Sequence, residues 1–151
     1  MREFASLNQL RPLLGQEVAI TDWVDITQER VNLFADATDD HQWIHVDLER
    51  CKRDSPFGGP IAHGFLTLSL VSSLFERAIR MIDARMVLNY GLNKVRFPAP
   101  VPVGSRVRAR LTLAKIDDIE GGAQLEWHVL IEREGGTKPV CVAELLLRRY
   151  P

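Results

Sequence analysis

The sequence predicts an α+β fold in which one antiparallel sheet wraps around a single long helix. Three observations carry this reading. From Ile61 onward, Phe65, Leu66, Leu68, Leu70, Val71, Leu74, Phe75, Ala78, Ile79 and Ile82 cover most of a helix circumference, the pattern of a helix enclosed by protein. Further along, Val107, Ala109, Leu111 and Leu113 alternate with Arg106, Arg108, Arg110 and Thr112, while Leu125, Trp127, Val129 and Ile131 alternate with Glu126, His128 and Glu132. That period of two belongs to strands with one buried face. Finally, Gly121-Gly122 and Gly135-Gly136 punctuate the strand runs, and connections this short join antiparallel neighbours rather than parallel ones.

Taken in order, Glu17 to Ile26 is rich in β-formers and reads as a strand. Thr27 then offers an N-cap to a helix with Val31, Phe34 and Ala35 on one face, ending near Ala37. Asp39 to Ile44 has no clear period and reads as a loop, and Asp47 caps a short helix through about Arg53. Ser55-Pro56-Phe57-Gly58-Gly59-Pro60 is a turn-rich connector into the long helix, whose far end carries Glu76, Arg77 and Arg80. Val87 to Phe97 forms a strand ahead of Pro98-Ala99-Pro100, the two alternating runs follow, and Val140 to Leu147 is the last strand. One early strand and four later ones around a helix make the hot-dog arrangement.

A chain of 151 residues with 46% hydrophobic composition is long enough for one well-buried core and too short for two ordinary domains, so residues 1–151 are read as a single domain. Nineteen basic against twenty acidic residues leave a formal charge of −1, which gives no global attraction to nucleic acid or to an anionic membrane. The longest apolar stretch, Ile61 to Phe75, falls short of the roughly 20 residues needed to span a bilayer. Cys51 and Cys141 form no CxxC pair, and Arg2 and Glu3 precede no apolar signal region. A cytoplasmic protein with reduced, buried thiols is the expectation.

Chemistry concentrates in two places. Asp40 and His45 are five positions apart, which no regular helix places on one face, so they meet only where a loop turns between them. Gly64 stands at the start of the apolar helix, where unpaired N–H groups and the positive end of the dipole favour a developing oxyanion. Together these suit chemistry on a carbonyl compound. His41 and His45 have the H-x3-H spacing of zinc helices, but Gln42 stands where a metalloprotease needs Glu, and no third ligand is placed by sequence, so no metal is expected. Gly59 to Gly64 has a Gly-x4-Gly spacing, yet Phe65-Leu66 follows where a phosphate loop needs Lys and Ser/Thr.

Phe34 to Asp47, the helix start Ile61-Ala62-His63-Gly64-Phe65-Leu66-Thr67-Leu68 and the run from Asn89 through Phe97-Pro98-Ala99-Pro100 to Gly104 resemble the MaoC-like dehydratases. That hot-dog family includes the (R)-specific enoyl-CoA hydratases, and the resemblance is close in the branch that also contains nodulation-protein-N-like sequences. The resemblance implies that Asp40 and His45 are a catalytic pair, that the Gly64 amide binds a thioester oxygen, and that Ser72 supports the site. It also implies a homodimer, an acyl-CoA thioester substrate, and no cofactor beyond the CoA of the substrate. The family pattern has Gly before the Asp and Asn-Pro between Asp and His, where this chain has Asp39, Gln42 and Trp43. Gln42 keeps an amide, whereas Trp43 adds bulk and is expected to shape the acyl pocket.

His63 is read as a structural histidine that holds the loop. Lys94 and Arg96 are candidates to meet CoA phosphates, while Arg106, Arg108 and Arg110 belong on an exposed sheet face. The activity implied is reversible hydration of trans-2-enoyl-CoA to (R)-3-hydroxyacyl-CoA, by a water held between Asp40 and His45. The rivals are a hot-dog acyl-CoA thioesterase and a non-catalytic acyl-thioester-binding subunit.

Overall fold

The computed structural model describes residues 1–151. Its main sheet is built from β2 (Glu17–Ile20), β3 (Val24–Asp25), β5 (Met86–Arg96), β6 (Arg106–Ile119), β7 (Gly122–Arg133) and β8 (Cys141–Tyr150), in the order β2-β6-β7-β8-β5 with β3 also on β6. All of these pairings are antiparallel. The expected strand over Glu17 to Ile26 is thus two short strands, separated where the Thr21 hydroxyl accepts a hydrogen bond from the Ala109 N–H in place of a neighbouring strand's carbonyl. Gly121, at φ +72°, makes the tight β6–β7 turn in the left-handed region that glycine enters without steric cost.

Alternation on β6, β7 and β8 sends every second side chain inward. Val107, Ala109, Leu111, Leu113, Leu125, Trp127, Val129, Ile131, Ala143, Leu145 and Leu147 are all buried. Against them lies α5 (Gly64–Ala78), whose Leu66, Thr67, Val71, Leu74, Phe75 and Ala78 are buried, with the Phe75 ring set edge-on to Trp127 at 5.0 Å. The helix is three residues later in starting and shorter at its end than its apolar run suggests. His63 takes the N-cap position, and Ile79–Met81 leave the helix to form β4, which pairs in parallel with β1 (Arg2–Phe4).

Enclosure is also incomplete in one chain: Phe65 is 67% exposed, and Ser69, Ser72 and Glu76 continue that uncovered flank. Neighbouring β5 is exposed along nearly its whole length, including Val87 and Leu92, whose partners on β8 face the interior. The outer face of the sheet is polar. Arg106, Arg108 and Arg110 pair there with Glu134, Glu132 and Glu17, as expected for a solvated face.

Candidate active site

Three short elements between β3 and α5 build the site. Helix α2 (Gln28–Thr38) is capped by the Thr27 hydroxyl, which accepts from the Arg30 N–H, and ends at Asp39 with φ +58°. This left-handed residue occupies the position where the family pattern has glycine, and it turns the chain out of the helix so that Asp40 begins a new direction. Asp39 itself is exposed. The expected loop over Asp39 to Ile44 gives way at Trp43 to the single helical turn α3 (Trp43–Val46), and α4 (Leu48–Asp54) follows from an Asp47 cap that accepts from the Arg50 N–H. A four-residue helix is too short to show a hydrophobic period, so the sequence carried no signal for it.

That turn moves His45 inward. Its ring is 6% exposed, and Nδ1–H donates to the Ile61 carbonyl at 2.6 Å, which leaves Nε2 as the free acceptor of the neutral imidazole. Burial holds the His45 pKa below its ordinary value, with the neighbouring His63 acting in the same direction; the Ile61 bond and Asp40 act the other way. The main chain is fastened on both sides: Gln28 Nε2 donates to the His45 carbonyl at 2.8 Å, and the Ile61 N–H to the Ile44 carbonyl at 3.0 Å. The Asp40 carboxylate is exposed and accepts from the Gln42 N–H at 3.4 Å.

His63 joins these parts. Its Nε2–H donates to the Asp40 main-chain carbonyl at 2.9 Å, and its ring stacks on that of His45 with centroids 3.8 Å apart. One ligand atom from each of Asp40, His45 and His63 lies within 4.8 Å of the others, yet no direct hydrogen bond joins Asp40 to His45. The spacing suits a single bridging water. It suits a shared metal ion less well, because the two rings are only 27° from parallel and in-plane lone pairs of stacked imidazoles do not converge on one point. His41, the other half of the H-x3-H spacing, turns away to pair with Asp36 at 2.8 Å.

His45 opens onto a pocket of about 380 Å³ walled by Ile44, Phe57, Ile61, Phe97 and Val101, with Gly64 and Thr67 also on its surface. Gly64 is the first residue of α5, so its N–H has no carbonyl within the helix to accept it. A Cβ at this position would meet the Phe97 ring at 3.0 Å, so the absence of a side chain is what lets the aromatic wall close over the helix start.

The other candidates lie elsewhere. Ser72 accepts from Asn89 Nδ2 at 3.0 Å and lines a separate cavity with Phe75, Val87, Leu145 and Leu147. Gln42 contributes its backbone, since its side chain is exposed. Trp43 is half-buried beneath the Arg50 guanidinium, 4.3 Å from the ring centroid, and is not among the residues lining the His45 pocket. Lys94 borders a shallow depression on the outer sheet face together with Glu17, Arg110 and Glu144.

An antiparallel sheet around one helix, with a buried histidine and a helix-start glycine on one apolar pocket and a carboxylate within 4.8 Å of that histidine, is the arrangement of a hot-dog hydro-lyase. The comparisons with known proteins agree. The MaoC like domain family matches residues 9–132, and the chain belongs to the MaoC-like dehydratases. It is 53% identical over 149 residues to the 3-hydroxyacyl-thioester dehydratase Z of Mycobacterium tuberculosis, covering 98% of each chain. To nodulation protein N of Rhizobium leguminosarum it is 45% identical over 141 residues, covering 91% of this chain and 87% of the relative. In fold it is similar to the unliganded (R)-hydratase PhaJ1 of Pseudomonas aeruginosa, with a TM-score of 0.73 at 20% identity over 91% of this chain and 81% of that one. It is likewise similar to the (R)-hydratase of A. caviae, at 0.70 and 23% over 91% and 96%.

Proposed function

We propose that the protein is an (R)-specific enoyl-CoA hydratase that reversibly adds water to trans-2-enoyl thioesters. The observation that carries the reading is that His45, its Nε2 free and a ligand atom of Asp40 within 4.8 Å of it, lines an apolar pocket whose wall also includes the Gly64 helix start. In this reading Asp40 and His45 hold one water. Its oxygen bonds to C3 as Nε2 takes one of its protons, and a proton passes to C2 on the same face, so the elements of one water add across the double bond. The Gly64 N–H stabilises the negative charge that builds on the thioester oxygen between these steps. All the groups required are side chains and amides, so no metal or cofactor is proposed.

The same reading assigns a homodimer. β5 is an edge strand of 11 residues paired only with β8, and its exposed Val87, Leu88, Tyr90 and Leu92 lie beside the uncovered flank of α5. An open edge this long and apolar is what a second copy covers. No helix is long and apolar enough to cross a membrane, and Cys51 and Cys141 are free and buried, which favours a reducing cytoplasmic setting.

Assay of crotonyl-CoA and a series of longer trans-2-enoyl-CoAs tests the reaction. The expected result is loss of enoyl absorbance without thiol release, giving a product oxidised by an (R)-specific 3-hydroxyacyl-CoA dehydrogenase. Stoichiometric thiol release would establish a thioesterase instead, and binding without turnover across the series a non-catalytic subunit.

A further inference from the structure

His63 is 3% exposed, yet it touches both members of the Asp/His pair through different parts of its ring. Through Nε2–H it grips the carbonyl of Asp40, 23 residues earlier in the chain. Through its face it stacks on His45, and on its other contact the Phe34 ring of α2 approaches to 4.9 Å. Because a carbonyl only accepts, Nε2 carries the proton, and the neutral ring keeps its lone pair on Nδ1. That atom is buried and has no hydrogen-bond partner among the protein's own groups, so the ring is held by Nε2–H and by its contacts with the Phe34 and His45 rings.

We propose that His63 is the positioning residue of this site, with two separable attachments: its N–H sets the path of the Asp40 loop, and its ring sets the plane and surroundings of the His45 imidazole. The proposal deepens the hydratase reading and, in its kinetic part, rests on it. The loop attachment follows from the absence of any other side-chain bond to the Asp40 main chain. Residues Asp39 to Gln42 are exposed, and their other bonds are local, His41 to Asp36 and the His45 N–H to the Gln42 carbonyl, so His63 alone ties the Asp40 main chain to the start of α5. The ring attachment follows from the packing around His45. Its titratable neighbours are Asp40 on its own loop and His63 from the start of α5; α2 contributes Gln28, and the pocket wall contributes Ile61, Phe97 and Val101, none of which titrates. Removing the His63 ring would therefore let water reach the face of His45, relieving the burial that disfavours its charged form.

Two substitutions separate the attachments. His63→Gln retains an N–H donor for the Asp40 carbonyl but removes the ring, and His63→Phe retains a ring but no donor. Hydrogen exchange of the amides of residues 40–42 and NMR titration of the His45 ring, both in the substrate-free protein, are measured beside kcat and KM for crotonyl-CoA from pH 5 to 9. In His63→Phe the loop amides should exchange roughly tenfold faster or more, with kcat down about 10²-fold, KM changed little and the His45 midpoint near that of the wild type. In His63→Gln the loop amides should exchange at the wild-type rate, while the His45 midpoint rises by about half a unit or more and the acid limb of kcat/KM moves with it.

The same response from both variants, or wild-type exchange and titration in both, would overturn the proposal. Should one variant fail to fold, the other still decides its own attachment. The exchange and NMR measurements need no turnover, so a wild-type protein inactive on enoyl thioesters would count against the hydratase reading alone.

Discussion

Asp40 and His45 differ in how firmly they are held, and that difference shapes the predictions at the scale of single residues. His45 is buried and bonded through Nδ1, so its orientation is determined by protein, whereas the Asp40 carboxylate reaches into solvent from a loop. Asp40→Asn and His45→Gln should each lower kcat for enoyl-CoA hydration by roughly 10²–10⁴-fold with folding retained, and the double variant should lose far less than the product of the two. Near-wild-type turnover in either single variant would remove that residue from the mechanism.

The lowered pKa of His45 also has a stability consequence. Its cause is first burial, so between the folded value and the ordinary 6.5 the unfolded chain binds more protons than the native one. Stability from this source is complete above about pH 6.5 and is lost as pH falls below that value towards the folded pKa. Denaturant melts of the wild type and of His45→Gln should diverge in pH dependence over that interval, with the variant flatter; parallel curves would refute the assignment. Asp39 presents the opposite case, a site-adjacent residue whose importance is its backbone. At φ +58° a Cβ is mildly strained, so Asp39→Gly should be neutral or stabilising by up to about 1 kcal/mol in thermal melts, and Asp39→Val clearly destabilising.

At the scale of elements, the α3–α4 elbow turns His45 inward and holds it there. Trp43 lies under Arg50, its carbonyl accepts the Asp47 N–H at 3.1 Å, and the Cys51 thiol points at the same carbonyl at 3.4 Å. An indole clamped on the outside of the elbow supports the turn rather than the acyl chain. Trp43→Ala should therefore cost about 1 kcal/mol of stability, near the value of an exposed cation–π contact plus lost packing, and leave the ratio of kcat/KM between short and long enoyl-CoAs unchanged. A shifted chain-length profile would return Trp43 to the pocket. Cys51 and Cys141 take no part in this chemistry: burial pushes both thiols up, Cys141 to about 11.

Across the whole molecule, the sheet has one face against α5, one face laced with ion pairs, and a long open edge at β5. Val87 and Leu92 point to the inner side of β5 but remain 43% and 41% exposed, because α5 does not extend over them. A second copy set against β5 would cover both. Equilibrium sedimentation should give twice the 17.1 kDa chain mass for the wild type, and the paired substitution Val87→Lys/Leu92→Lys should return it to the mass of one chain by placing charge along the edge. A wild-type monomer would show that the edge is closed by something other than a second copy.

Local chemistry determined a good part of this protein from sequence alone. Period-two alternation located β6 and β7, and the Thr27 and Asp47 caps located the starts of α2 and α4, because each of these depends on neighbours a few residues apart, while the Asp40, His45 and Gly64 pattern marked the family. Tertiary structure decided the rest. Asp40, His45 and His63 come together only because the connector is pinned at Ile61 and Ala62 by the Ile44 and Val101 carbonyls, Ser72 is drawn to Asn89 on another element, and Trp43 meets Arg50 only because α3 and α4 fold into an elbow. The all-round apolar pattern of α5 recorded that the helix is to be covered without distinguishing cover by its own sheet from cover by a second chain. Hydrophobic burial carries no direction and no chain identity, so only the folded arrangement shows which faces this chain fills by itself.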